Sequence, residues 1–157
     1  MDVSAKQILD ALQAYWPKQS YAHVREFRPA TGYKGDERRM DLWVIDRAPS
    51  SGMPAHAVEV KVSRSDWLRE LKQPEKSRLA MAVSNYIWVA APPGIVKWNE
   101  LPPMWGLLEV DPSKEIWDRV KRSHPAEYRD KVRPTWGMVA SLIRGLEKSN
   151  PPPLNYS

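Results

Sequence analysis

The run Ala57–Val62, AVEVKV, constrains this chain more than any other segment. Its period of two is that of a β-strand, with Val58, Val60 and Val62 on one face and Glu59 and Lys61 on the other. Residues two apart on a strand have Cα atoms ~6.6 Å apart, so a carboxylate and an ammonium stand side by side on a strand whose opposite face is wholly apolar. A second apolar run, Met40–Ile45 (MDLWVI), is likewise interrupted by one carboxylate, Asp41. Two strands that would otherwise be buried thus each carry charge, and a charge in such a place has to be compensated or used.

The rest of the chain supplies a frame for these strands. Val3, Ile8, Leu9, Leu12 and Tyr15 share a face at helical spacing behind a potential cap at Ser4. Tyr21–Phe27 alternates as a strand, and Pro29–Glu37, with Gly32 and Gly35, reads as a hairpin loop leading into the Asp41 strand. After Lys61 the period changes: Trp67, Leu68 and Leu71, then Leu79, Met81 and Ala82, suggest helix, with Pro74 as a break or a new first turn. Ser63 and Asp66 have the spacing of a helix cap. Tyr86–Ala90 (YIWVA) is a continuous apolar run that suits a central strand, and Gly106–Val110 (GLLEV) a short fifth one. Pro134–Leu146 reads as an amphipathic helix. The expectation is an α/β (α+β) fold with a central mixed sheet of about four to five strands flanked by helices, in one domain over residues 1–148, followed by a Pro-rich tail over 149–157.

Composition narrows the function classes. The chain has 157 residues, with 24 Lys+Arg against 19 Asp+Glu, a formal net charge of +5 and a sequence pI near 9.5, a balance that suits a polyanionic partner. It has no cysteine, which excludes disulfide frameworks, cysteine zinc sites and thiol catalysis. The N-terminal residues lack the apolar run of a signal peptide, and no stretch is long and apolar enough to span a bilayer, so a cytoplasmic protein without membrane attachment is expected. His23, His56 and His124 have no metal-binding spacing and read as ordinary core or surface residues.

Hydrolysis of a phosphodiester requires neutralisation of charge at phosphorus and presentation of a water for in-line attack, tasks suited to a hard divalent cation with oxygen ligands. If the two charged strands pair, Asp41 and Glu59 can share an ion, adjacent strands being ~4.8 Å apart, and the Val60 main-chain carbonyl adds a third oxygen. Lys61 can then reach the same phosphate, either stabilising developing charge and orienting the water or, with a lowered pKa, deprotonating it. A lone E-x-K tripeptide is common; what gives this one weight is its place in a valine strand with an aspartate shortly upstream.

The ordered segments GDERRMDLWVID, AVEVKVSRSDWLRELKQPEKSRLAMAVSNYIWVAAPPGIV and ELPPMWGLLEV resemble the MmcB-like branch of the PD-(D/E)XK nuclease superfamily, whose members are associated with DNA repair and also resemble phage-encoded proteins. The resemblance runs from about Glu26 to Val110. It implies a restriction-endonuclease-like core, Mg²⁺ or Mn²⁺ as cofactor, and nucleic acid, DNA in the first instance, as substrate. By the same resemblance Asp41 is the metal-binding aspartate, Glu59 the second metal carboxylate and Lys61 the catalytic lysine. Met40 stands where the superfamily's nominal proline would precede the aspartate. Some members of the superfamily bind without cutting, so the alternative expectation is an accessory nucleic-acid-binding protein on the same fold. No pattern encodes the oligomeric state, and a homodimer is compatible with it.

Other residues gather around this core. Glu26 resembles the extra acidic residue of many such nucleases, the competing reading being a surface glutamate paired with Arg25 or Arg28. Lys76 is the preferred auxiliary cation, in a P-E-K segment similar to a recurring feature of the family. Arg64 and Lys72 follow the lysine strand into a helix that should begin beside the site, where cations would favour phosphate, although a solvated helix face explains Lys72 equally well. Arg38 and Arg39 precede the aspartate and could clamp the backbone of a substrate or fix a hairpin. Asp66, beyond the strand, is expected to be a helix cap or a partner of Lys61.

Overall fold

The computed structural model describes residues 2–27, 39–72 and 78–149. Its first element is α1 (Ala5–Tyr15), started by a reciprocal cap in which the Ser4 hydroxyl accepts from the Gln7 N–H and the Gln7 side chain accepts from the Ser4 N–H. Then follow β1 (Tyr21–Phe27), β2 (Met40–Asp46), β3 (Ala55–Val60), α2 (Arg64–Leu71), α3 (Arg78–Ala82), β4 (Tyr86–Ala91), β5 (Gly106–Val110), β6 (Val120–His124) and α4 (Trp136–Ser149). All six strands form one mixed sheet in the order β1-β2-β3-β4-β5-β6. The β1–β2, β2–β3 and β5–β6 pairs are antiparallel; β3, β4 and β5 run parallel, with α2 and α3 in the β3-to-β4 crossover.

Among the described residues the sheet has six strands, against the four to five expected. The additional strand, β6, has the sequence VKRSH, with Val120 its only aliphatic side chain. As an edge strand paired on one side to β5 it has no need of an apolar run, and its charged side chains blunt the open edge. The helix read over residues 134–146 is α4 and runs on to Ser149; residues 150–157, most of the proposed tail, lie outside the described residues.

Each face of the sheet is covered by different elements. Ile8, Leu12 and Trp16 pack on Leu42, Val44, Val58, Val60, Trp88, Leu108 and Val110. Full burial of each large aliphatic residue in that layer contributes roughly 1.5–3 kcal/mol. The opposite face is shared. Met138 of α4 and Ala80 of α3 pack with Val24, Phe27, Ala57 and Ile87, and Trp67 of α2 packs with Val89, Ala91 and Leu107. Alternation in β3 therefore sends its valines under α1 and Glu59 and Lys61 toward α2, as the period of two requires. At Gly106 any side chain would collide with Trp88, since a Cβ there would stand 2.5 Å from the indole ring. Among the described residues no helix is long and apolar enough to cross a membrane.

Candidate active site

The site lies where β2 and β3 stop pairing. Their ladder runs from Ile45–Ala55 to Leu42–Val58, and continuation of that register would set Asp41 opposite Glu59. Instead the Asp41 side chain reaches across, and its Oδ2 accepts the Val60 N–H at 2.7 Å. The N–H and carbonyl of a residue in extended backbone point to the same side of the strand, so the Val60 carbonyl is turned toward Asp41 as well. Lys61, the first residue past β3, stays in line through its N–H bond to the Ala90 carbonyl, 2.9 Å.

Lys61 lies between two carboxylates. Its Nζ is 3.3 Å from Glu59 Oε1 and 3.0 Å from Glu70 Oε2, with all three side chains close to fully buried. Glu70 comes from α2 and was not anticipated as a site residue. A signal for it exists: it lies three residues after the buried Trp67, on the same side of the helix. Ser63 is the N-cap of α2, and Asp66, expected as a cap or a Lys61 partner, stands in the first turn. Its N–H donates to the Ser63 hydroxyl and its carboxylate pairs with Arg69, while Glu70 takes the lysine.

The electrostatics of this cluster are unbalanced. Burial raises the pKa of Asp41, against the opposing effects of the Val60 N–H and of Lys61 and Arg39. Burial, reinforced by the Asp41 charge, pushes Glu59 up to about 8. For Lys61, burial works downward, but the Glu59 and Glu70 carboxylates outweigh it and hold the ammonium above the ordinary lysine value. Lys61 is thus held as a cation between the two carboxylates. Among the described residues, the Glu59 and Glu70 carboxylates flank the Lys61 ammonium with Asp41 near enough to act on both, and the buried Glu59 Oε2 has no hydrogen-bond partner.

Hard oxygens, excess negative charge and an orphaned carboxylate oxygen are what a divalent cation requires, so the residues fit Mg²⁺ or Mn²⁺. Among the described residues no three His, Cys, Asp or Glu side chains come together as a metal-binding group. The protein ligands would therefore be two carboxylates, Asp41 and Glu59, with the Val60 carbonyl, and water would complete the shell of an ion such as Mg²⁺ that sheds it reluctantly.

The remaining residues singled out in the sequence are dispersed. Glu26 lies between the pairs Arg25–Leu42 and Phe27–Met40, directly across from Asp41, at a positive φ of 53°. That left-handed kink breaks the alternation of β1, so that Phe27 stacks on Trp43. The Glu26 carboxylate itself is exposed and paired with Arg39 at 3.4 Å, outside the buried cluster. Arg64 is occupied within the fold, where its guanidinium forms a two-pronged ion pair with Glu100 and also donates to the Ile95 carbonyl. Lys72 is exposed at the end of α2. Arg38 and Lys76 lie outside the described residues. His56 sits on the α1 face, away from Glu59. It accepts from the Trp88 indole N–H at 3.0 Å, stacks on Tyr86, and is held neutral by burial, its pKa lowered to about 4.

The fold has a known counterpart. Over 97% of this chain and 95% of the other, it is similar to a protein of unknown function from Silicibacter pomeroyi, with a TM-score of 0.62 and 19% sequence identity. At that identity the likeness shows the fold alone. No protein-family model matches the chain, and no curated protein matches it.

Proposed function

We propose that this protein is a divalent-metal-dependent nuclease with a restriction-endonuclease-like core, hydrolysing phosphodiester bonds of nucleic acid, DNA in the first instance. The observation that carries the reading is the parting of β2 and β3, which brings Asp41, Glu59 and the Val60 carbonyl together with Lys61 on one buried face. Asp41 and Glu59, with the Val60 carbonyl, would hold Mg²⁺, which when bound supplies charge neutralisation at the phosphate and lowers the pKa of the attacking water. The Lys61 ammonium stabilises charge developing on the phosphoryl oxygens and orients the nucleophile. Glu70 positions that ammonium, and the Val60 N–H fixes the Asp41 carboxylate. The overall positive charge favours approach of a polyanion.

The test is a cleavage panel. Single-stranded, duplex and branched DNA and single-stranded RNA are incubated with Mg²⁺, Mn²⁺ or chelator, using the wild type and Asp41→Asn. The expected outcome is metal-dependent cutting of at least one substrate by the wild type and none by the variant. Salt-dependent binding with every substrate left intact would instead identify an accessory protein that keeps the fold without turnover.

A further inference from the structure

A second concave feature lies on the same sheet face as the candidate site, across α2 from it. It is a groove of about 550 Å³ between β5–β6 and the turn at Trp98–Glu100, bordered among others by Lys97, Trp98, Asn99, Glu109, Lys121 and Ser123. Leu107 fixes the face, since it borders the groove and packs with Trp67 of α2 and Val89 of β4. Two to three strand spacings separate β3 from the groove, roughly 10–15 Å across the sheet. The segment carrying Trp98 is tied to the start of α2, three residues beyond Lys61, by the Arg64 contacts to Ile95 and Glu100.

Trp98 is 67% exposed, yet it is not a loose side chain. Its indole is stacked on His124, centroids 6.1 Å apart and planes 18° from parallel, and the exposed remainder of the side chain borders the groove. Lys97 and Lys121 are exposed at the rim. Among the described residues that border the groove the carboxylate is Glu109, and it is engaged at both oxygens, by the Gly94 N–H at 2.8 Å and the Ser123 hydroxyl. Arg122 also borders the groove, but its guanidinium is turned onto the Tyr15 and Trp88 rings. An aromatic plate flanked by two exposed lysines matches an unpaired base with its phosphates. In a duplex the base faces are covered by their neighbours, and such a plate has nothing to stack on.

We propose that this groove binds single-stranded nucleic acid, Trp98 stacking on a base and Lys97 and Lys121 contacting phosphates, and so selects strands or ends with unpaired nucleotides for the Asp41–Glu59–Lys61 site. The inference rests on the nuclease reading for its consequence, and on the groove alone for binding.

Fluorescence anisotropy in chelator, which prevents cutting, separates the two. The probes are labelled oligo(dT) and oligo(U) of about twenty nucleotides and a blunt duplex of the same length, long enough to cover the groove and its flanks. Wild type should bind the single strands more tightly than the duplex. Trp98→Ala should weaken single-strand binding roughly 5- to 150-fold, one base stack, with little change on the duplex. Trp98→Phe should restore most of the loss, and Lys121→Glu should weaken binding and flatten its salt dependence. Equal single-strand affinity for wild type and Trp98→Ala, a duplex bound as tightly as the single strands, or no binding at all would overturn the proposal. If Trp98→Ala binds like wild type while wild type still cuts DNA, the groove assignment fails and the nuclease reading stands. If single strands bind through Trp98 and no substrate is cut, the reverse holds.

Discussion

The two faces of one strand, β3, obey different rules. Toward α1 it sends Val58 and Val60 into a layer with Leu42, Val44, Ile8 and Leu12, whose buried polar ring, His56, has its hydrogen bond from Trp88. Toward α2 it sends Glu59 and Lys61 into a buried cluster with Asp41 and Glu70, where among the described residues carboxylates outnumber cations and one oxygen lacks a partner. A fold selected for stability alone would not leave charge desolvated on one face and none on the other. On the proposed reading the α1 face is given over to packing, whereas the β3 part of the α2 face gives up stability for chemistry.

The contrast can be broken most sharply at Lys61. Lys61→Ala should reduce cleavage by ~10²–10³-fold or more while leaving nucleic-acid binding close to wild type, measured by single-turnover kinetics beside an equilibrium binding curve. Unchanged turnover would remove the lysine from the site. On the opposite face, Leu42→Ala should lower stability by roughly 2–5 kcal/mol in urea unfolding, because Leu42 is fully buried under α1. The fraction that remains folded should cut at the wild-type rate. A large kinetic defect in folded Leu42→Ala would show that the two faces are not separable.

His56 gives the α1 face a pH signature of its own. Its pKa is near 4 in the fold and about 6.5 in the unfolded chain, so between these values the unfolded state binds the extra proton. The stabilisation is therefore fully present above pH 6.5 and is lost as pH falls toward 4, by roughly 3 kcal/mol at most. His56→Gln, which retains an acceptor for the Trp88 N–H, should flatten the decline in unfolding free energy over that window. An unaltered slope would place the titration elsewhere.

How much of this could be read in advance depended on how local each signal was. The faces of AVEVKV follow from alternation within six residues, and Ser4 with Gln7 caps α1 within one turn. The meeting of Asp41 with Glu59 needed the β2–β3 register, which two consecutive antiparallel strands made easy to guess. Glu70 was hidden because the rotation of α2 over the sheet is set by Trp67 docking against β4 and β5, a tertiary fact. The Arg64 ion pair had no local signature because its partner, Glu100, lies 36 residues away. The kink at Glu26 had no signature at all, since nothing in the residue type demands a positive φ. Sequence distance therefore hid the partners of charges more than it hid the charges themselves.

The most direct test of the account is one variant read two ways. Glu59→Gln keeps the shape of the side chain and removes a carboxylate whose ionisation burial and Asp41 oppose. Without added metal it should unfold at a higher temperature than the wild type, by a few degrees for ~1 kcal/mol. In Mg²⁺ it should fail to cut the substrate that the wild type cuts. A more stable and inactive protein is the predicted result; a Glu59→Gln variant that cuts DNA at the wild-type rate would contradict the central claim that this buried carboxyl group is there for catalysis.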